Sequence, residues 1–128
     1  RALSRLDAFH ERMKRKSFGY FIDQKAIERM PAHFVSDLLR RAPGTWVERN
    51  RVMMRGCSDA LYLIDGMPVY PIGDETSTEA VNSMISPTDV EGIEVYRGDA
   101  TVPMELRLHM GTANTAGSCG LIAIWTKR

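Results

Sequence analysis

Two cysteines, Cys57 and Cys119, are the side chains best suited to covalent chemistry in this sequence. Two thiols cannot form a structural zinc site, which needs four nearby ligands. A single disulfide would close a loop of about 62 residues and would indicate an oxidising compartment. Two unrelated buried thiols in a cytosolic protein are the other interpretation, and the residues alone leave both open. Nucleophilic catalysis at Cys119 is disfavoured, because no histidine lies at a recognisable spacing from it.

The histidines and carboxylates form no recognisable catalytic or metal-binding pattern. The three histidines fall on different predicted elements, and we expect them at the surface: His10, His33 and His109. His33 and Asp37, four positions apart, could share a metal ion, but two ligands do not make a site. Asp65 precedes Gly66, and this pair is typical of a tight turn rather than of a catalytic carboxylate. We therefore predict no catalytic residue, no metal and no cofactor.

The composition is that of one ordinary globular domain. The chain has 128 residues, of which 44% are hydrophobic and 26% are charged, and these values exclude wholesale disorder. Seventeen basic residues are balanced by 16 acidic ones, which argues against a dedicated nucleic-acid-binding protein. No apolar run approaches the roughly 18 residues of a membrane-spanning helix, so we expect at most indirect contact with a membrane.

Residues 1–17 are predicted to form a basic amphipathic helix or linker ahead of a domain over residues 18–128. Four apolar side chains recur at spacings of three, three and four: Leu3, Leu6, Phe9 and Met13. This stripe predicts a helix that packs on the domain or on something upstream. Six basic side chains in residues 1–16 predict either a solvated helix face or a contact with an anionic surface.

The rest of the chain alternates short strands with short helices. Three apolar segments are predicted to lie side by side in the middle of one sheet: 61–64, 90–96 and 121–126. Helices are predicted after Asp23, over residues 34–42 and over residues 76–84, with Asp23 as the cap of the first and either Thr76 or Ser77 as the cap of the third. The stretch from Gly98 to Gly120 is predicted to be the least regular. The predicted class is α+β, with a small mixed β-sheet and short helices.

Five motifs occur in one order along residues 18–128. The first is a helix with Leu38-Leu39 that leads into Pro43-Gly44, and the second is the pair Arg55-Gly56. The third is an apolar strand that ends in Asp65-Gly66. The last two are the segments Val90-Glu91-Gly92-Ile93-Glu94-Val95-Tyr96-Arg97-Gly98 and Gly120-Leu121-Ile122-Ala123-Ile124-Trp125-Thr126-Lys127. In this order and spacing the motifs resemble the plug domain of TonB-dependent outer-membrane receptors.

The resemblance implies a non-enzymatic plug-like domain that acts in ligand gating or binding during outer-membrane uptake. It implies a location in the periplasm or outer membrane of a Gram-negative bacterium, and a β-barrel or an upstream β-sandwich domain of the same polypeptide as partner. The loops after Gly56 and around residues 99–118 would face an unknown ligand. The alternative is a stand-alone periplasmic or cell-surface interaction module without a barrel.

The N-terminal part resembles a subgroup of these proteins more closely. The stretch from Phe9-His10-Glu11-Arg12 through Phe18-Gly19-Tyr20-Phe21-Ile22 is similar to a segment that follows a carboxypeptidase-regulatory-like β-sandwich. Proteins of this subgroup tend to carry one cysteine in the Arg-Gly loop and one before the last strand. Cys57 and Cys119 occupy these places, so the resemblance implies a disulfide between them. The chain lacks a convincing TonB box and ends at Arg128, where a full receptor would continue into a barrel, so we expect no transport by this chain alone.

Overall fold

The structure is a computed structural model that describes residues 4–15, 18–57, 60–98, 101–110 and 119–127. It contains a five-stranded mixed sheet with helices on both faces. The strands are β1 (Tyr20–Ile22), β2 (Thr45–Glu48), β3 (Arg51–Met54), β4 (Leu61–Ile64), β5 (Met67–Pro68), β6 (Val90–Tyr96) and β7 (Leu121–Thr126). The helices are α1 (Arg5–Arg15), α2 (Gln24–Glu28), α3 (Val35–Leu38), α4 (Ser77–Met84) and α5 (Met104–Met110). Short 3-10 turns cover Leu39–Arg41 and Pro87–Asp89. The predicted α+β class is confirmed.

The strand order is β1-β6-β7-β4-β5, with β2 and β3 paired in a separate hairpin. Strands β4 and β7 run parallel, with Leu61 opposite Leu121, whereas β6 and β7 run antiparallel, with Ile93 opposite Ile124. The three apolar segments therefore lie side by side, as predicted. Residues 121–125 of β7 are all buried, because helices cover both faces of this central strand.

One face of the sheet packs against α2, α3 and α4. Asp23 caps α2 by accepting a hydrogen bond from the N–H of Ala26 at 3.0 Å, as predicted. Thr76 caps α4 in a capping box, in which its hydroxyl accepts from the N–H of Glu79 at 3.0 Å. The core on this face contains the inward residues of the central strands and of these helices: Val35, Leu38, Val81, Ile93, Ile122 and Ile124.

The opposite face of the sheet packs against α1 and α5. Phe9 of α1 and Leu106 of α5 share a core cluster with Leu63, Tyr96 and Trp125. The helix α1 thus packs on the domain, which was one of the two predicted placements. None of the helices in the described ranges has the length and apolar character that crossing a membrane requires.

Helix α5 lies within the stretch from Gly98 to Gly120, which was predicted to be the least regular and for which no helix was predicted. Pro103 immediately precedes the helix, and its carbonyl accepts hydrogen bonds from the N–H groups of Leu106 and Arg107. Leu106 is buried against the sheet, and this packing favours the helix although glycine, threonine and alanine dominate the surrounding residues. The remainder of the predicted irregular stretch, residues 99–100 and 111–118, lies outside the described residues.

Candidate functional site

A basic cleft lies at the end of the sheet where β6 ends and β7 begins. Its cavity volume is about 590 Å³. The lining residues come from four separate segments: Phe18, Gly19, Tyr20, Pro43, Arg55, Val95, Arg97, Gly98 and Thr101. The predicted Pro-Gly motif and both Arg-Gly motifs therefore meet at one place, although they are far apart in sequence.

Strand pairing brings two of these segments together. Edge strand β1 pairs with β6, so Tyr20 lies opposite Val95, and Arg97 follows directly after β6. The guanidinium of Arg97 reaches Gly44, where a Cβ atom would collide with its Nη1. Gly44 has a φ of 77°, a conformation that favours glycine, and its missing side chain also leaves room for the Arg97 guanidinium.

A tight turn presents the second arginine. Met54 and Cys57 exchange two backbone hydrogen bonds of 2.7 and 2.8 Å, with Arg55 and Gly56 at the tip between them. Gly56 has a φ of 74°, which an L residue adopts with strain and which a type II turn requires at this position. Arg55 is therefore held at the end of a short two-residue turn that points its side chain towards the cleft.

The disulfide anchors this turn to the sheet. Cys57 and Cys119 are covalently joined, with their Cα atoms 5.5 Å apart. Cys119 stands two residues before β7, so the bond ties the Arg55 turn to the start of the central strand. The bond therefore fixes the position of one cleft arginine relative to the sheet that carries the other.

The electrostatics of the cleft favour an acidic group. Arg55 and Arg97 are both exposed, and within the described parts of the chain neither guanidinium has a carboxylate oxygen within 4.0 Å. Phe18, 89% exposed, and the partly buried Tyr20 add two aromatic rings to the lining. Two guanidinium groups beside aromatic surface can bind a carboxylate or phosphate through paired, charge-assisted hydrogen bonds.

A buried polar cluster lies behind the cleft, between α1 and the sheet. Arg12 is 2% exposed and Glu94 is 0% exposed. The Nε and Nη2 atoms of Arg12 donate to the two carboxylate oxygens of Glu94 at 2.8 and 2.7 Å. The indole N–H of Trp125 and the hydroxyl of Tyr96 also donate to this carboxylate, at 2.7 and 2.6 Å. Glu94 is thus a buried charge whose oxygens are fully used.

The cluster shifts the ionisation of its members. Burial and the adjacent Glu94 carboxylate raise the pKa of Tyr96, since both disfavour a second negative charge. Burial by itself would lower the pKa of Arg12, but the hydrogen bonds and the negative charge of Glu94 raise it. Both shifts keep the cluster in one protonation state, with a charged arginine and a neutral tyrosine.

Sequence reasoning did not identify Arg12 or Glu94. The basic side chains of α1 were predicted to face solvent or an anionic surface, whereas Arg5, Arg12 and Arg15 donate to groups of the domain itself. One signal was present in the pattern. Arg12 lies three positions after Phe9 on the apolar stripe, and Glu94 stands among the apolar residues of β6.

The other residues considered for chemistry have structural roles where the structure describes them. Asp65 accepts hydrogen bonds from the N–H and hydroxyl of Thr126, which fixes the β4–β5 turn. Backbone N–H groups of Phe34 and His33 donate to Asp37 and hold the pKa of that carboxyl below its usual range. Within the described ranges, no three metal-ligating side chains lie together. Of the loops predicted to face a ligand, residues 58–59, 99–100 and 111–118 lie outside the described residues, and residues 104–110 form α5.

Comparison with known proteins identifies relatives of this fold. The sequence model of the TonB-dependent receptor plug domain matches residues 17–107. The siderophore receptor PirA from Pseudomonas aeruginosa is 28% identical over 87% of this chain and 18% of its own, with a TM-score of 0.58. A search of curated proteins finds no significant match.

Two further receptors share the fold at lower identity. The siderophore receptor PirA from Acinetobacter baumannii covers 100% of this chain at 22% identity, with a TM-score of 0.64. The alcaligin outer-membrane receptor FauA from Bordetella pertussis covers 86% at 18% identity, with a TM-score of 0.62. The chain spans less than a fifth of the length of these receptors. Because the family model matches the greater part of the sequence, the chain belongs to the TonB-dependent receptor plug domain family.

Proposed function

We propose that the chain acts as the plug of an outer-membrane uptake receptor in a Gram-negative bacterium, inside a β-barrel of the same polypeptide. The observation that carries the proposal is the convergence of three family motifs on one basic cleft. A plug works sterically, by obstructing a pore and rearranging to let a ligand pass, and needs no catalytic group. We assign residues 18–128 to the plug and residues 1–17 to a basic amphipathic linker or helix; the family match over residues 17–107 supports the plug assignment for that part of the chain.

The cleft is the part of this plug that would contact an acidic group. Arg55 and Arg97 provide two exposed guanidinium groups about a cavity large enough for several carboxylate-sized groups. Such groups could belong to the ligand or to the enclosing barrel wall, and both sources present the same chemistry. PirA from Pseudomonas aeruginosa is described as a siderophore receptor, so ferric siderophores are the first ligands to test.

The test compares cells that express the full polypeptide with cells that carry Arg55→Gln and Arg97→Gln together. We expect the protein in the outer-membrane fraction, and we expect the double variant to reduce uptake of radiolabelled ferric siderophores. Arg49→Gln is the matched control, because Arg49 is an exposed arginine at the β2–β3 turn, away from the cleft lining. Uptake at the wild-type level in cells without the gene would contradict siderophore gating.

Sensitivity to a large antibiotic distinguishes the two sources of the acidic group. If the double variant binds less siderophore while the cells still exclude the antibiotic, the arginines contact the ligand. If the cells become sensitive, the arginines hold the plug against the barrel wall. If neither quantity changes, the cleft has no role in gating.

A stand-alone periplasmic or cell-surface interaction module is the second candidate function. The observation that favours it is the coverage of both sheet faces by helices of this chain, which is typical of a domain that folds without a partner. In that case the cleft would hold an acidic group of a partner protein or glycan. Cell fractionation discriminates between the two functions. A plug is expected in the outer-membrane fraction together with its barrel, whereas the location of a stand-alone module would not depend on a barrel.

A further inference from the structure

Helix α1 is fastened to three different elements by three arginines. Arg5 donates to the backbone carbonyl of Asp65 in the β4–β5 turn at 2.7 Å. Arg12 binds Glu94 of β6, and Arg15 donates to Glu105 of α5 at 3.2 Å. The helix precedes the segment that matches the family, yet its contacts tie together a turn, strand β6 and helix α5.

The Arg12 contact leads directly to the floor of the cleft. The carboxylate of Glu94 accepts the hydroxyl of Tyr96 at 2.6 Å. The ring of Tyr96 lies against Gly19, where a Cβ atom would collide with the ring. Gly19 lines the cleft, and Tyr96 is followed by the cleft residue Arg97. A continuous chain of contacts therefore joins α1 to the binding surface on the other side of Tyr96.

The burial of Glu94 makes the docking of α1 depend on the Arg12 contact. A carboxylate without solvent exposure is tolerated only while its charge is paired, since burying an unpaired charge is very unfavourable. When Arg12 leaves, the Glu94 carboxylate loses its ion-pair partner and must gain water or a proton. Water or a proton on the Glu94 carboxylate then competes with the hydrogen bond from the Tyr96 hydroxyl.

We propose that Arg12 and Glu94 are positioning residues for the basic cleft, and that release of α1 loosens the cleft floor at Tyr96 and Gly19. A partner that binds α1 would therefore change the cleft without touching it. This proposal rests on the proposed function in one respect: it assumes that the basic cleft is the binding surface. It identifies regulation of that surface by the N-terminal helix.

The test compares Arg12→Met with Lys14→Met in the full chain. Both variants remove one positive charge from α1 and introduce the same side chain, but Lys14 is exposed and Arg12 is buried. We expect Arg12→Met to speed hydrogen exchange of the α1 amides by roughly 100-fold, because one partner of a buried ion pair is lost. Lys14→Met should leave this exchange unchanged.

Two spectroscopic readouts separate coupling from simple loss of stability. In a Trp46→Phe background, Trp125 fluorescence should shift to longer wavelength in Arg12→Met, because Trp125 loses its cover and its contact with Arg12, now 5.7 Å from the ring centroid. The amide resonances of Gly19 and Arg97 should shift or broaden in the same variant. Resonances of Val35, in the core of the opposite face, should stay in place.

Unchanged Gly19 and Arg97 resonances in a variant whose α1 amides exchange faster would overturn the proposal, since α1 would then be only a cover. Unchanged α1 exchange would overturn it as well. If Arg12→Met does not fold, Arg12→Lys keeps the charge but loses the paired geometry, and we expect smaller shifts of the same resonances. Citrate serves as a probe for binding of an acidic group, and its addition to wild type should shift the Gly19 and Arg97 resonances. If citrate shifts neither resonance, the proposed binding of an acidic group is contradicted, whereas the comparison of Arg12→Met with Lys14→Met still tests the coupling.

Discussion

At the scale of single residues, Glu94 is the position whose burial requires the most compensating hydrogen bonds among the described residues. It is a carboxylate with 0% exposure, and three side chains donate to it: Arg12, Tyr96 and Trp125. Replacing a buried ion pair by apolar residues is often neutral for stability, whereas removing one partner costs about 3–5 kcal/mol. Loss of Arg12 alone is therefore expected to cost more stability than replacement of the whole pair by apolar side chains.

Tyr96 predicts a loss of stability at alkaline pH. Its pKa is raised in the folded protein by burial and by Glu94, so the unfolded chain loses the phenolic proton first, at about pH 10. Its contribution is complete below that pH and declines as pH rises above it. We expect the free energy of unfolding of wild type and Tyr96→Phe, measured by urea titration from pH 8 to pH 11, to converge as pH rises.

The free energies of unfolding of wild type and Tyr96→Phe are expected to differ at the start of this titration. Tyr96→Phe removes a donor from the buried Glu94 carboxylate, so at about pH 8 we expect it to be less stable by roughly 1–3 kcal/mol. Tyr70→Phe is the control, since Tyr70 is an exposed tyrosine, and at about pH 8 it should be within about 0.5 kcal/mol of wild type. A constant difference for Tyr96→Phe would show that its pKa is not raised by folding.

The close packing of Gly92 against α1 predicts that the methyl group of an alanine at this position would displace the helix. A Cβ atom at Gly92 would collide with the ring of Phe9, which is fully buried. We expect Gly92→Ala to lower the free energy of unfolding by about 1–3 kcal/mol, as overpacking does in cores. Gly98→Ala is the matched control, because nothing lies within 4 Å of a Cβ there, and it should change stability by less than about 0.5 kcal/mol. Equal effects of the two substitutions would contradict this.

The candidate site could be predicted only in part from the sequence. The motifs that contain Pro43, Arg55 and Arg97 are visible as short patterns, but their convergence on one cleft depends on strand pairing and turn geometry. Arg12 and Glu94 are 82 positions apart, and local patterns show neither partner of such a pair. In the sequence, a charged residue that is buried looks the same as an exposed one, because its burial depends on a partner that is distant along the chain.

At the scale of elements, the accuracy of prediction follows the source of each element's stability. The caps at Asp23 and Thr76 and the turn at Asp65-Gly66 depend on local chemistry, and the sequence therefore predicts them. Helix α5 depends on packing of Leu106 against strands that are distant in sequence, so its local composition predicts an irregular stretch instead.

The disulfide predicts a stability difference between oxidised and reduced protein. Cys57 and Cys119 are separated by 62 positions, and in the chain-entropy model such a bond stabilises by about 4 kcal/mol. We expect the urea midpoint to fall on addition of a reductant, and Cys57→Ser with Cys119→Ser to reproduce the fall. The double variant should be insensitive to the reductant. Labelling of both thiols in native protein without a reductant would contradict the bond.

At the scale of the whole molecule, two core clusters share the sheet between them. One cluster joins the sheet to α2, α3 and α4, and the other joins it to α1 and α5. Alternate residues of β7 enter opposite clusters, as Ile124 and Trp125 show. Loss of either cluster exposes one face of the central strand, so the two are expected to melt together.

This arrangement predicts cooperative unfolding of the isolated chain, without a barrel. For 128 residues we expect an unfolding enthalpy of about 90 kcal/mol near 60 °C, and a calorimetric enthalpy close to the van't Hoff value. Differential scanning calorimetry measures both. Ile124→Asp places an unpaired charge in the shared strand and should abolish the transition, whereas Ile72→Asp, at an exposed position, should retain it. A gradual melt of the wild type without a heat-absorption peak would show that this plug requires an enclosing partner to reach a fixed structure.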